Sequence, residues 1–175
     1  MSFKALPTRL EGVVLVEPTV HGDERGFFVE TFRQSELTDL GIDAEFVQDN
    51  HSRSGAKVLR GLHRQAGQAK LVRCPSGRIW DVAVDLRPES PTYKQWEGYE
   101  LNETSHHQLF IPDGFGHGFC VLSDSADVLY RVSSYYDPEL ETGIAWDDPE
   151  IGIEWPISEP VLSERDSSAP TLADA

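Results

Sequence analysis

Short apolar runs recur along the chain at roughly even spacing, and Gly, Pro, Asp, Asn and Ser separate them. The runs are GVVLVEP, GFFVETF, KLVRC, RIWDVAVDL, QWEGYEL, QLFIP, GFCVL and DVLYRVSSYY. Many short strands with regular turn signals are typical of a β-sandwich or β-barrel rather than of an alternating α/β sheet. The pattern therefore predicts an all-β fold.

The segment RIWDVAVDL shows the two-residue period of a strand most clearly. Its alternation predicts one face formed by Trp80, Val82, Val84 and Leu86 and another formed by Asp81, Ala83 and Asp85. The segment LRGLHRQ, residues 59–65, also reads as a strand, although a histidine lies in it.

We expect only one or two short helices. The best candidate is RQSELTDLG, residues 33–41. We predict Ser35 as its N-cap, Glu36, Leu37 and Leu40 in its turns, and Gly41 as the residue that ends it.

The length of 175 residues is most simply that of one domain, residues 1–175, which can bury a substantial core without disulfides. Cys74 and Cys120 lie inside apolar, strand-like segments, and this predicts buried free thiols. No apolar run approaches the ~20 residues that span a bilayer. The N-terminus MSFKALPTRLEGV lacks the apolar core of a signal peptide. We therefore expect a cytoplasmic location.

The formal net charge of −15 argues against nucleic acid or a membrane as the main partner, because both require an electropositive surface. It does not exclude a small anionic substrate. Four cations lie close together in the sequence: Arg60, Arg64, Lys70 and Arg73. Such a group can hold a phosphate or pyrophosphate. The alternative is a salt-bridged outer face.

His63 has three interpretations: a metal ligand, a catalytic base, or a polar residue at the mouth of a barrel. A metal-binding cupin would carry a second histidine at position 65, but Gln65, a poor ligand for Zn or Fe, is found there. His106 and His107 are adjacent and would face opposite sides of a strand, which leaves His117 as the one plausible partner. As a base, His63 would need a carboxylate to fix its tautomer.

The position of Arg60 relative to His63 depends on the regularity of the strand. Alternation places Gly61, His63 and Gln65 on one face, so that Arg60 points away from His63. Both side chains can serve one site only if Gly61 marks a bulge or a bend.

Two further segments contain candidate residues. The segment VLYRVSSYY contributes Tyr130, Tyr135 and Tyr136, which could donate a proton, stack on a nucleobase or simply pack. The segment 163–175, SERDSSAPTLADA, loses the apolar periodicity, and its composition is typical of a mobile tail.

Seven motifs, taken in order, resemble the dTDP-4-dehydrorhamnose 3,5-epimerase family. They are GDERGFFVETF, FVQDNHSRS, VLRGLHRQ, KLVRCPSGRIWDVAVDLRPESPTYKQW, IPDGFGHGF, LYRVSSYYDPELETGIAWDDPEIGIEWP and LSERD. The resemblance extends from about Leu10 to Leu172. It implies a cupin-like jelly-roll barrel that forms a homodimer, binds no metal and needs no cofactor.

The resemblance implies as substrate a dTDP-4-keto-6-deoxyhexose, in dTDP-L-rhamnose or other deoxysugar biosynthesis. The C4 carbonyl acidifies the hydrogens at C3 and C5. A base would remove one of these, an enolate would form, and an acid would return a proton from the other face. The two alternatives are a mono-epimerase of an antibiotic deoxysugar, acting at C3 or C5 only, and a sugar-nucleotide-binding cupin without turnover. A metal-dependent cupin is the remaining rival.

The resemblance also assigns roles to individual residues. It implies His63 as the base, Asp166 as the carboxylate paired with it, Tyr130 as the acid on the opposite face and Lys70 as the stabiliser of the enolate oxygen. Substrate-binding roles are implied for Arg25, Glu30, Gln48, Asn50, Arg60, His117, Tyr135, Glu141 and Arg165. Tyr135 matches the ring that stacks on thymine, and the N-terminal strand with Arg25 and Glu30 is expected to act across the dimer. The tail 163–175 would then pack near the site.

Four features depart from the family pattern. The loop RQAGQA between His63 and Lys70 is shorter than is typical of the family. Arg64 stands in the place of an aromatic residue, Arg165 in the place of a lysine, and His21 in the place of an apolar or aromatic residue. We expect the loop and Arg64 to affect sugar specificity.

Overall fold

The fold is built almost entirely from β-strands. It is described by a computed structural model of residues 2–175. In this part of the chain the strands are β1 Phe3–Leu6, β2 Val14–Pro18, β3 Val20–Asp23, β4 Gly26–Val29, β5 Gln48–Gly55, β6 Leu59–Gln65, β7 Lys70–Ser76, β8 Arg78–Asp85, β9 Trp96–Asn102, β10 Gln108–Ile111, β11 Phe115–Val121, β12 Ser125–Val132 and β13 Glu141–Gly143. The helices are α1 Gln34–Asp39 and α2 Glu164–Ser167. The predicted all-β class with one or two short helices is therefore confirmed.

Two antiparallel sheets pack face to face as a cupin-like jelly roll. One sheet has the strand order β1-β2-β10-β7-β12-β5, and the other has the order β13-β6-β11-β8-β9. Strands β3 and β4 form a separate hairpin. None of the helices among residues 2–175 has the length and apolar character needed to cross a membrane.

The apolar core between the sheets fills one end of the barrel and leaves the other end open. On β7, Val72 and Cys74 belong to this core, whereas Lys70 on the same face lines a cavity. On β12, Val128 belongs to the core, whereas Tyr130 packs at its margin and lines the same cavity. Because alternate residues of a strand share a face, the cavity lies next to the apolar core, on the same inner faces of β7 and β12.

Helix α1 covers part of the outer face of the six-stranded sheet. Leu37 of α1 and the following Ile42 are fully buried there against Leu71 and Phe110. The prediction of Ser35 as the N-cap was wrong, because the helix begins one residue earlier than Ser35 and its N-cap is Arg33. Ser35 lies in the first turn, and Arg33 has no capping hydrogen bond from its side chain.

The end of α1 follows the sequence pattern. The helix ends before Gly41, which has a φ of +83° and donates its backbone N–H to the carbonyl of Thr38. A positive φ at the residue after the C-cap favours glycine.

The C-terminal segment packs on the outer face of the five-stranded sheet, unlike the mobile tail that its composition suggested. Leu172 packs against a buried cluster that contains Leu62 of β6 and Ile151. The buried Asp148 carboxylate accepts a 2.6 Å hydrogen bond from the backbone N–H of Leu172. The amino-acid composition of the segment did not predict this packing, because only a few contacts, separated along the segment, hold it on the sheet.

Strand β5, whose sequence is QDNHSRSG, was not among the predicted strands. Its inward positions carry Gln48, Asn50 and Ser52, which line the cavity. A strand whose inner face borders a polar cavity lacks the apolar alternation that marks a strand in a sequence. Similarly, Asp81 and Asp85 of β8 are fully buried, so both faces of that strand are buried.

Candidate active site

A cavity of about 360 Å³ occupies the end of the barrel that the core leaves open. Its walls come from both sheets. His63 of β6 and His117 of β11 belong to the five-stranded sheet, and Lys70 of β7 and Tyr130 of β12 belong to the six-stranded sheet. A molecule in the cavity would therefore have His63 on one side and Tyr130 on the other.

His63 and Asp166 form a close pair at the wall of this cavity. Nε2 of His63 lies 2.6 Å from Oδ1 of Asp166, and the Asp166 side chain is only 6% exposed. Burial raises the pKa of Asp166, but the hydrogen bonds that it accepts, above all the one from His63, outweigh burial and lower the pKa overall. Because Nε2–H donates to Asp166, Nδ1 keeps its lone pair and can act as a base.

Helix α2 holds Asp166 in position. Ser163 caps the helix, and its Oγ accepts a 3.0 Å hydrogen bond from the backbone N–H of Asp166. The second carboxylate oxygen of Asp166 accepts a longer, 3.5 Å bond from the backbone N–H of Gly61. Both oxygens of Asp166 thus contact β6, one at His63 and the other at Gly61.

A bulge in β6 brings Arg60 and His63 to the same cavity. His63 pairs with His117, and Arg60 pairs with Phe119, so that β6 advances three residues while β11 advances two. Gly61 lies in this step with a φ of +127°. A Cβ at Gly61 would lie 2.5 Å from Cα of Gly118, so no side chain fits there. The condition that the sequence set for Arg60 and His63 to share one site is met.

Lys70 is a buried cation in the cavity wall. Its Nζ donates to the backbone carbonyl of His63 at 3.4 Å. Burial lowers the pKa of Lys70 to about 8, against the opposing charges of Glu141 and Asp81. The pKa of Tyr130 is raised, mainly by burial and also by Glu141. At neutral pH the cavity therefore presents an ammonium group beside the backbone of His63 and a protonated phenol on the wall formed by β12.

A second histidine–carboxylate pair lies deeper in the wall. Nε2 of His117 is 2.8 Å from Oδ1 of Asp81, and Asp81 is fully buried. Oδ2 of Asp81 has no hydrogen-bond partner among the described residues. The pKa of His117 is lowered, because burial outweighs the effect of Asp81 and the cations of Lys70 and His63 act in the same direction as burial.

Known proteins resemble this chain over nearly its whole length. The sequence model of the dTDP-4-dehydrorhamnose 3,5-epimerase family matches residues 7–174. The dTDP-4-dehydrorhamnose 3,5-epimerase of Salmonella typhimurium is 51% identical over 175 residues, which cover 97% of this chain and 96% of that protein. The chain belongs to the dTDP-4-dehydrorhamnose 3,5-epimerase family.

Two further comparisons cover the same extent. The crystal structure of the dTDP-6-deoxy-D-glucose-3,5-epimerase from Legionella pneumophila Philadelphia 1 in complex with dTDP-4-keto-L-rhamnose is 46% identical, with a TM-score of 0.94. It covers 98% of this chain, which covers 93% of it. The dTDP-4-dehydrorhamnose 3-epimerase of Streptomyces niveus is 41% identical over 97% of this chain and 84% of that protein. The family thus includes relatives named for one inverted carbon and for two.

Most of the residues to which the family resemblance assigned roles meet at the cavity of this epimerase. The lining residues among them are His63, Lys70, Tyr130, Gln48, Asn50, Arg60, His117, Glu141 and Arg165. Asp166 lies directly behind His63. Nη1 of Arg165 donates to Glu141 at 2.8 Å, so the two residues form an ion pair at the cavity wall.

Three of the predicted substrate-binding residues lie outside the cavity of the single chain. Arg25 lies in the β3–β4 hairpin and pairs with Asp23, and Glu30 pairs with Arg33. The Tyr135 side chain does not line the cavity and is 71% exposed.

The four cations that are close in the sequence do not form one group. Arg60 and Lys70 line the cavity. Arg73 instead lines a smaller hollow of about 140 Å³ together with Arg131. Arg64 does not line the cavity, and its Nε is buried without a hydrogen-bond partner among the described residues. Strand alternation separates them, because Arg64 follows His63 directly and Arg73 is three residues from Lys70.

Four lining residues were not predicted from the sequence, namely Ser52, Gln68, Phe119 and Val132. Tyr136, a candidate from its aromatic segment, also lines the cavity. Asp81 was also not predicted as the partner of His117, although the alternation within RIWDVAVDL placed it with Ala83 and Asp85 on one face of the strand. The only signal for Asp81 was a carboxylate within a largely apolar strand. Residues 2–175 contain no group of three or more His, Cys, Asp or Glu side chains that could hold a metal ion.

Proposed function

We propose that this protein inverts C3 and C5 of a dTDP-4-keto-6-deoxyhexose without a cofactor. The observation that carries the proposal is the His63–Asp166 pair, which shares one cavity with Lys70 and with Tyr130 of the opposite sheet. A base and an acid on opposite walls suit a reaction that removes a proton from one face of a sugar and returns one to the other.

His63 is the base in this proposal. The hydrogens at C3 and C5 are acidic because the C4 carbonyl accepts the charge of the carbanion as an enolate. Nδ1 of His63 takes the proton, and Asp166 stabilises the imidazolium that results. General base catalysis of this type contributes about 10²–10⁴-fold in rate.

Lys70 and Tyr130 complete the cycle. The buried ammonium of Lys70 stabilises the enolate oxygen at C4, because the interaction of opposite charges is strong where water is excluded. Tyr130 returns a proton from the opposite face. Its raised pKa keeps the phenol protonated at neutral pH until the enolate forms. The imidazolium of His63 then loses its proton to water, and the phenolate of Tyr130 takes one from water, which restores both groups for the next inversion.

The nucleotide is bound by cations and aromatic rings near the cavity mouth. Arg60 and Arg165 suit the diphosphate, since guanidinium groups bind phosphate oxygens in a bidentate manner. Tyr135 and the neighbouring Tyr136 offer ring faces for thymine.

The active protein is a homodimer in this proposal, and the partner completes each site. The β3–β4 hairpin exposes Phe27 (62%) and Phe28 (69%), which is unusual for large apolar side chains and favours burial against a second copy. Arg25 and Glu30 border this hairpin and would then reach the partner's cavity. The cytoplasmic location stays a prediction from the sequence.

Replacing the base tests the proposal. We expect His63→Ala to lose turnover of dTDP-4-keto-6-deoxyglucose by about 10²-fold or more. Its affinity for dTDP, measured by calorimetry, should stay within about threefold of that of the unaltered protein. Turnover in His63→Ala at the rate of the unaltered protein would disprove the assigned mechanism.

The intact His63–Asp166 pair disfavours the alternative of a sugar-nucleotide-binding cupin without turnover. A mono-epimerase remains the second candidate, and the resemblance to the Streptomyces niveus 3-epimerase supports it. The two epimerase candidates share a base, an acid and a carbonyl stabiliser. They differ in the number of carbons that are inverted, and this number can be read from the product.

A further inference from the structure

The loop between β12 and β13 is held by side-chain amides at the mouth of the cavity. Its residues 134–137 include Tyr135 and Tyr136, and Tyr136 lines the cavity. Gln65 of β6 contributes the most bonds. Its Nε2 donates to the carbonyl oxygen of Tyr135 at 2.9 Å and to Oγ of Ser134 at 3.2 Å, and its Oε1 accepts from the N–H of Asp137 at 2.9 Å.

Two other glutamines bind the same loop. Nε2 of Gln68 donates to the carbonyl oxygen of Ser134 at 3.0 Å. Oε1 of Gln48 accepts from the backbone N–H of Tyr136 at 3.1 Å. Each residue from 134 to 137 thus has a backbone group bound by the side chain of Gln48, Gln65 or Gln68, three residues that we call the glutamine clamp. These side-chain amides substitute for a sheet ladder, because β12 ends at Val132.

Gln65 is the buried centre of this clamp. It is 3% exposed, and a buried amide is costly unless it is hydrogen-bonded. Both its donor hydrogens and its acceptor oxygen have partners in the loop. Gln65 follows His63 by two positions on β6, so both side chains point to the same face. One strand therefore carries His63 and fixes the loop that carries the two tyrosines.

We infer that Gln65 is a positioning residue that fixes the loop 134–137 and, through it, the affinity of the site for the nucleotide. This inference rests on the proposed function, in which the tyrosines of the loop bind the thymine. A loop that is already ordered loses less conformational entropy when a ligand binds. Loss of Gln65 should therefore weaken nucleotide binding and leave the chemistry at His63 largely intact.

The test compares Gln65→Met with Gln34→Met. Methionine has a similar length and no amide, so it removes all the bonds of Gln65 to the loop. Gln34 is the matched control, because its Nε2 also donates to a backbone carbonyl, that of Ala44, at a site remote from the cavity. A second variant, Gln65→Glu, retains an acceptor for Asp137 and removes the donor to Tyr135.

The first readout needs no ligand. Amide hydrogen exchange of Tyr136 and Asp137, measured by NMR, should become about tenfold faster in Gln65→Met. It should not change in Gln34→Met, and it should also rise in Gln65→Glu, because the carboxylate has no hydrogen to donate to the carbonyl oxygen of Tyr135. Unchanged exchange in Gln65→Met would overturn the inference, because the loop would then be held without Gln65.

The second readout separates binding from chemistry. The Kd of dTDP and the KM of the sugar nucleotide should rise about tenfold in Gln65→Met, with kcat within about threefold of that of the unaltered protein. A fall in kcat with an unchanged Kd would mean that Gln65 acts on His63, and this would also overturn the inference. If the unaltered protein bound no dTDP, the proposed function and the nucleotide role of the loop would fail, while amide exchange would still decide whether the clamp exists.

Discussion

His63 and Asp166 are 103 positions apart in the sequence and 2.6 Å apart in the structure. No local pattern connects them, and thirty acidic residues were candidates for the partner of His63. The resemblance to a known family identified Asp166, whereas composition suggested that its segment was mobile. Side chains that depend on alternation within one strand, such as Val82 and Val84 of β8, could be placed from the sequence, but partners brought together by tertiary packing could not.

The protonation state of Lys70 gives a prediction at this scale. Burial lowers its pKa to about 8, so the ammonium form predominates below that pH and is lost above it. We therefore expect kcat/KM to fall as the pH rises through about 8. The measurement is a pH–rate profile of the unaltered protein and of Lys70→Met. The variant should be slower throughout and lack this alkaline decline, and a decline of the same shape in Lys70→Met would refute the assignment to Lys70.

At the scale of single elements, β6 shows how a departure from regular structure creates a site. The sequence predicted a strand at residues 59–65. It also predicted that the side chains of Arg60 and His63 could share a cavity only if Gly61 interrupted the alternation of side chains along this strand. The register of β6 against β11 contains this break. Strand β5 was not predicted, because its inner face lines the polar cavity and therefore lacks apolar residues at alternate positions. Strands of the two large sheets such as β7, β8 and β11 were predictable because their inner faces carry apolar residues of the core.

The bulge in β6 gives the prediction for this scale. Gly61→Ala should lower the free energy of unfolding by about 1–3 kcal/mol, because alanine is strained at a φ of +127° and its Cβ meets the backbone of β11. The loss of kcat/KM should be larger than the loss of folded protein explains. The backbone of β6 must shift to relieve the contact between the Cβ and β11, and this shift moves His63 away from Arg60. Urea denaturation and steady-state kinetics measure the two effects.

Gly152→Ala is the matched control for this prediction. Gly152 also has a positive φ, of +64°, but no atom lies within 4 Å of the position of a Cβ. We expect a smaller loss of stability and unchanged kinetics. Equal losses of activity in the two variants would argue against a specific role of the bulge.

At the scale of the whole molecule, the single chain brings His63, Tyr130 and Lys70 to one cavity but leaves Arg25 and Glu30 outside it. The class of fold and its short helices followed from the spacing of apolar runs. The proposed homodimer did not follow from this spacing, because an interface between copies leaves no periodic signal in a sequence. The exposed Phe27 and Phe28 indicate where a partner would pack.

Mixed dimers test this arrangement. Arg25→Ala and His63→Ala should each be nearly inactive alone. If Arg25 acts on the partner's site, a refolded equal mixture should regain about a quarter of full activity, because half of the dimers are mixed and each has one complete site. The measurement is turnover before and after mixing. No recovery would show that Arg25 serves the site of its own subunit or none.

The central claim is that one cavity removes and returns protons at both carbons next to the C4 carbonyl. The most direct measurement is NMR of the product formed from dTDP-4-keto-6-deoxyglucose in deuterated water and trapped by a coupled reductase. The account predicts inversion with deuterium at both C3 and C5. Inversion and deuterium at only one of these carbons, or protons retained at both, would contradict it.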